Sequence, residues 1–345
     1  MQTAPRKDLA RPPSRASAAA KGMVLLGCVG IAAWVAHATA DQPPSSTSAP
    51  PTAFTAATSG SRSPTRAGAG PTPTGPTPTG PTPTAAPQPP AAVSEGSRPL
   101  DLKVAKPGSD AANIATVLRT GLLPRSGGAF GADRIRALPG QGPRRSLAVR
   151  ITYPAGSASS RSASLEGSAY GGTQVYLLLP HGPVEAATLS YCLRFPVGFD
   201  FVKGGKLPGL FGGTVTSGQH IPDGTDGWST RYMWRRGGAG EVYAYLPTSV
   251  AHGTSLGRGA WSITPGRWQC LAQTVVLNTP GVANGSVTLR LDGRQVFAAK
   301  GLLFRTTSAL RIDGVFFSTF FGGGDPSWAS PRLQYADFAD VAVAS

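Results

Sequence analysis

From about residue 98 onward, hydrophobic and polar positions alternate, or cluster in short runs, between Gly, Pro and Asp-Gly punctuation. The runs at 147–153, 174–179, 189–195, 228–234, 241–246, 268–277, 286–291, 295–298 and 311–319 are rich in β-branched and aromatic residues, and each reads as a strand. Asp292-Gly293, between two of these runs, predicts a two-residue hairpin. Only 111–118 offers a helical pattern. Many strands with short turns and almost no helix predict an all-β fold, a sandwich or a closed barrel.

Two adjacent runs can be read face by face. Side chains alternate sides along a strand, so Trp228, Thr230, Tyr232 and Trp234 share one face, and Ser229, Arg231, Met233 and Arg235 the other. In the next run Val242, Ala244 and Leu246 oppose Glu241, Tyr243 and Tyr245. A one-residue slip in pairing would exchange the faces. Placing Ser229 and Arg231 beside Tyr243 and Tyr245 requires paired residue numbers with an even sum, hence a loop of three or five residues or a bulge. Arg231 then lies opposite Tyr243 or Tyr245.

The start of the chain is different. Arg6, Lys7, Arg11, Arg15 and Lys21 precede an apolar run at 23–36, and Ala38-Thr39-Ala40 supplies small residues for cleavage. Residues 1–40 therefore read as a signal peptide, with an apolar run shorter than a spanning helix prefers. Residues 41–97 read as a disordered Pro/Thr/Ser-rich linker, with Gly-Pro-Thr-Pro-Thr repeated between Gly70 and Thr84. Residues 98–345 are left as one folded domain. The expected location is extracellular, with no stable membrane insertion after cleavage. An uncleaved leader, or lipidation at Cys28 within Leu25-Leu26-Gly27-Cys28, would tether the chain to a membrane instead.

The chain holds 32 Lys and Arg against 17 Asp and Glu, a net charge of +15, which suits a polyanionic partner. Export makes nucleic acid an unsuitable one and leaves an acidic polysaccharide. It also leaves only Cys192 and Cys270 in the mature chain, either as a disulfide or as two buried thiols. No His/Cys cluster has metal-ligand spacing, so neither a metal nor a cofactor is expected. Nothing suggests an oligomer, and a monomer is expected.

The chemistry gathers on the Arg231 face. Two phenols, a guanidinium and a hydroxyl share it, and Lys206 lies upstream in Gly204-Gly205-Lys206-Leu207-Pro208-Gly209, which reads as a rigid loop. The C5 proton of a uronate is weakly acidic. Cations around its carboxylate stabilise the enolate-like charge that develops on abstraction. A Tyr whose phenolate is favoured by neighbouring cations can take that proton, and a phenol can protonate the leaving oxygen. Lys206, Ser229, Arg231, Tyr243 and Tyr245 thus suit β-elimination, with activity expected to rise toward neutral-to-alkaline pH. Hydrolysis normally needs two flanking carboxylates, and no Glu-x-Asp-x-x-Glu run is present. Gly253-Thr254-Ser255-Leu256-Gly257 matches the esterase pattern G-x-S-x-G but lacks its strand–elbow–helix context.

The stretches 191–200 (YCLRFPVGFD), 203–213 (KGGKLPGLFGG), 228–235 (WSTRYMWR), 241–247 (EVYAYLP), 266–269 (GRWQ) and 313–328 (DGVFFSTFFGGGDPSW) resemble polysaccharide lyase family 14, the alginate and glucuronan lyases. The resemblance runs from about residue 110 to the end. It implies a β-sandwich of jelly-roll type with a concave substrate cleft. It also implies that Lys206 and Arg231 neutralise the uronate carboxylate, that Ser229 hydrogen-bonds nearby, and that Tyr243 and Tyr245 serve as base and acid. Lys203, Arg235, His220, Ser318, Asp325 and Trp328 are the candidate substrate-binding residues. A non-catalytic module binding acidic glycans on the same sandwich is the alternative.

Overall fold

The computed structural model describes residues 102–159, 170–218 and 220–345. The expected leader and linker, with Cys28, lie outside the described residues. Among the described residues one α-helix, α1 (Asp110–Leu118), forms where the helical pattern predicts it. Ser109 caps its start and Ala111, Ile114 and Leu118 are its buried residues.

The strands follow in chain order: β1 (Leu123–Pro124), β2 (Ile135–Leu138), β3 (Ala148–Tyr153), β4 (Thr173–Leu178), β5 (Ala186–Arg194), β6 (Gly204–Gly213), β7 (Gly227–Arg235), β8 (Ala239–Tyr245), β9 (Thr254–Ser262), β10 (Gln269–Val276), β11 (Gly285–Leu291), β12 (Arg294–Leu302), β13 (Gly314–Phe321) and β14 (Gln334–Ala344). They form two seven-stranded sheets, β1-β4-β13-β6-β7-β8-β9 and β12-β11-β10-β5-β14-β3-β2. The chain crosses repeatedly from one sheet to the other, as in a sandwich of jelly-roll type. The inner faces make one core, with Leu207, Leu210, Trp228, Tyr232 and Trp234 of the first sheet joined to residues of the second such as Leu189, Tyr191 and Phe338. Cys192 and Cys270 are direct cross-strand partners on β5 and β10 and are joined by a disulfide.

The hairpin parity holds. Ser229 pairs with Tyr245, Arg231 with Tyr243 and Met233 with Glu241, and five residues separate the last pair, Trp234 and Gly240. Asp292 and Gly293 turn β11 into β12 with φ of 50° and 82°, the left-handed pair of a type I′ two-residue hairpin.

One expectation fails. Residues 204–209 are not a loop; they open β6, whose ten residues are all buried. Its glycines, which read as loop signals, permit close approach instead. A Cβ at Gly205 would lie 2.0 Å from the Trp234 ring, and one at Gly209 would lie 2.3 Å from the Thr230 carbonyl oxygen. Pro208, with no N–H to offer, is the extra residue of a bulge. Leu207 pairs with Tyr232 and Gly209 with the next residue, Arg231. The Tyr191 hydroxyl donates to the Pro208 carbonyl at 3.2 Å. The bulge lets Leu207 and Leu210 both reach the core while Lys206 and Gly209 share the outer face.

Candidate active site

The outer face of the first sheet carries a row of side chains at right angles to the strands. Register places Tyr176 of β4 beside Phe316 of β13, Phe316 beside Gly209 of β6, Gly209 beside Arg231 of β7, Arg231 beside Tyr243 of β8, and Tyr243 beside Ser255 of β9. Gly209 offers no side chain, and Arg231 leans across that gap. Its guanidinium carbon is 4.4 Å from the Phe316 ring centroid and Nη1 donates to Ser318 Oγ at 3.3 Å.

Arg231 is 2% exposed, its Nε has no acceptor, and it forms no ion pair with any described residue. Burial lowers its pKa, against the opposing influence of Tyr176, Tyr245 and Tyr243. A buried guanidinium without a counter-anion is unfavourable in isolation. A carboxylate arriving from outside would complete it.

The neighbouring row runs Phe320, Lys206, Met233, Glu241. Lys206 is buried against the Met233 sulfur, and its Nζ lies 3.7 Å from the Tyr243 ring centroid. Burial, then repulsion by Arg231 and Arg235, pushes the Lys206 ammonium well below its ordinary range, with Glu241 opposing. Tyr243 is half-buried and pushed up to about 12, by burial first and then by Tyr245. Arg231 and Arg235 do pull it down, as the sequence leads one to expect, but burial outweighs them.

Three hydroxyls hold the segment that follows β6 over one end of this site. Ser229 Oγ donates to the Thr216 carbonyl at 2.6 Å, Tyr176 Oη and Thr216 Oγ1 are 2.7 Å apart, and Tyr245 Oη donates to the Gly218 carbonyl at 2.5 Å. Ser229 and Tyr245 are both buried, and the Tyr243 and Tyr245 rings meet edge-on at 5.7 Å.

A model of the family described as Polysaccharide lyase 14 matches residues 142–341, which include every one of these positions on β6, β7, β8 and β13. The chain belongs to polysaccharide lyase family 14. Its fold is similar to the PL-14 alginate lyase from Aplysia kurodai, at 30% identity and a TM-score of 0.57 over 70% of this chain and 97% of that one. It is also similar to alginate lyase vAL-1 from a Chlorella virus, at 22% identity and a TM-score of 0.52 over 60% of this chain and 88% of that one. No curated protein sequence matches.

The rim of this family 14 domain is organised around an acid that reading the sequence left out. Glu241, fully buried, accepts from Arg235 Nη2 at 2.5 Å, Arg258 Nε at 2.7 Å and Ser255 Oγ at 3.2 Å. The alternation of β8 puts it on the Tyr243 face, but its partners Arg258 and Ser255 belong to β9, a strand the sequence pattern did not reveal. Arg235 also approaches the Tyr243 and Trp328 rings, at 5.8 Å from each centroid. Lys203 donates to Ser327 Oγ and lies 5.9 Å from the Trp328 ring. Asp325 is exposed, accepts from the Ser327 hydroxyl and caps the turn Pro326–Trp328 through the Ser327 N–H at 2.9 Å; these bonds, the hydroxyl's foremost, lower its pKa. Ser318 bridges Arg231 to Gln174, and His220 lies exposed between β6 and β7.

The esterase-like pentapeptide runs into β9 rather than forming an elbow. A Cβ at its Gly253 would meet the Tyr243 ring at 2.7 Å, which explains the glycine. Among the described residues no group of His, Cys, Asp or Glu is arranged to hold a metal ion, and no helix is long and apolar enough to cross a membrane.

Proposed function

We propose that this domain cleaves a polyuronate by β-elimination, with Arg231 as the carboxylate receptor, Lys206 as the base and Tyr243 as the acid. The observation that carries the reading is Arg231: buried, unpaired, and next to both a depressed lysine and a protonated phenol on one face. A uronate carboxylate on Arg231 would relieve the guanidinium and, once neutralised, acidify its own C5–H. The neutral Lys206 amine takes the C5 proton. The C5–H electron pair forms the C4–C5 double bond as the C4–O bond breaks, and the Tyr243 phenol gives its proton to the departing oxygen.

The sequence alone suggests tyrosine in both proton-transfer roles. The electrostatics favour dividing them, because a phenol held at about 12 is a donor at ordinary pH and a lysine held low is an acceptor. In this reading Ser229 and Tyr245 keep the loop after β6 in place, Tyr245 also backs Tyr243, and Lys203, Arg235, Trp328, Ser318, Asp325 and His220 surround the approach.

Alginate is the first polymer to offer, because the relative at 30% identity is an alginate lyase; glucuronan is the second. The leader and linker expected from the sequence support export and action outside the cell. Purified protein mixed with each polyuronate should develop the ultraviolet absorbance of a C4–C5 unsaturated sugar. Reducing ends appearing without that absorbance would mean hydrolysis. Binding with neither signal would mean a glycan-binding module.

A further inference from the structure

The outer row continues one position beyond Tyr176. The Arg125 N–H donates to the Tyr176 carbonyl at 2.8 Å, which seats Arg125 beside Tyr176 just past β1. Its guanidinium carbon is 3.7 Å from the Tyr176 ring centroid. The Tyr176 and Phe316 rings stack at 4.1 Å and 13°, and Phe316 lies 4.4 Å from the Arg231 guanidinium. The result is a column of guanidinium, ring, ring and guanidinium. Its spacings hold the two charges no more than roughly 12 Å apart.

Other ring-stacked arginines in the described residues also hold an acid. Arg134 pairs with Asp133, Arg150 and Arg194 with Asp337, and Arg235 with Glu241. Arg125 and Arg231 stack on rings and form no ion pair with a described residue. Arg125 donates one N–H to the Gly213 carbonyl at 3.1 Å. Asp313, whose charge it feels, accepts instead from the Gly213 N–H at 2.6 Å. Unlike Arg231, Arg125 is partly exposed.

A guanidinium fixed on a ring, with no carboxylate bonded to it, is a planar receptor for a carboxylate from outside. A polyuronate presents a carboxylate on every sugar, so a polymer anchored at Arg231 offers more of them along its length. We propose that Arg125 is a second carboxylate-binding residue of the cleft, holding a uronate a few sugars away from the one at Arg231. It would thereby set the chain length needed for full affinity. Arg125 precedes residues 142–341, so the family match does not include it. The proposal rests on Arg231 holding the reacting uronate.

The test compares the full chain with its Arg125→Gln and Arg125→Lys variants on polyuronate and on oligouronates of graded length, reading KM and kcat for unsaturated product. Arg125→Gln should raise KM roughly tenfold on polymer and long oligomers. It should leave kcat unchanged, and also KM on the shortest oligomer cleaved. Arg125→Lys should restore part of the loss. Unchanged KM at every length would overturn the proposal. So would an equal loss at every length with a lower Tm, which would make Arg125 a structural clamp on Gly213. Polymer affinity by calorimetry decides the matter independently of turnover: if wild type binds but forms no product, the elimination reading fails, whereas equal Kd for wild type and Arg125→Gln overturns the role of Arg125.

Discussion

Burial acts on Lys206 and Tyr243 with opposite sign, because it penalises the ammonium of one and the phenolate of the other. The pH dependence follows. kcat/KM should rise with pH through the depressed Lys206 pKa, as neutral amine accumulates, and hold until Tyr243 begins to ionise toward about 12. A tyrosine base would instead give a rise that continues into the range near 12. Stability carries the same signature. Between the folded-state pKa of Lys206 and the ordinary lysine value the unfolded chain binds more protons, so stability climbs with pH across that window. Lys206→Met should flatten the climb, as read from urea midpoints over a pH series. An unchanged slope would show that Lys206 is not the group responsible.

At the scale of elements, the β7–β8 hairpin was legible and β6 was not. Period-two alternation plus one parity argument placed Arg231 opposite Tyr243 or Tyr245, because an amphipathic hairpin tolerates no slip of one residue, and the observed register selects Tyr243. In β6 the residues that permit close packing, Gly205, Pro208 and Gly209, are the ones that ordinarily signal turns. Only the facing strand reveals what they do. Alternation puts Glu241 on the right face, but its role was not legible for a related reason, since part of its clamp arrives from β9. The upward shift of Tyr243 depends on its surroundings, which no strand pattern conveys. Gly209→Ala tests the role of β6: its methyl would meet the Thr230 oxygen at 2.3 Å and the Arg231 Cα at 2.5 Å. We expect a loss of about 1–3 kcal/mol in chemical denaturation, with activity falling further than stability explains, because Arg231 loses its slot. Ser229→Ala should cost about 1 kcal/mol and speed amide exchange in the Thr216–Gly218 segment.

For the whole molecule, the sheet-to-sheet core and the disulfide hold the strands that carry the site. Cys192 and Cys270 are 78 residues apart in sequence and lie on the sheet opposite the site. Their replacement by Ser should lower stability by roughly 2–4 kcal/mol. KM and kcat should be unchanged wherever the variant remains folded, as thermal melts and turnover on one sample can show. The chain's excess of Lys and Arg, 32 against 17 Asp and Glu, favours encounter with an acidic polymer. That attraction weakens as salt rises, whereas a carboxylate seated on buried Arg231 is screened less.

The most direct measurement follows unsaturated-product absorbance from alginate and glucuronan with wild type, Lys206→Ala and Tyr243→Phe, each checked for folding and for polymer binding. The account predicts product from wild type, and at least roughly a hundredfold slower formation by either variant with binding retained. Full activity in Lys206→Ala, or binding by wild type with no product from any polyuronate, would contradict it.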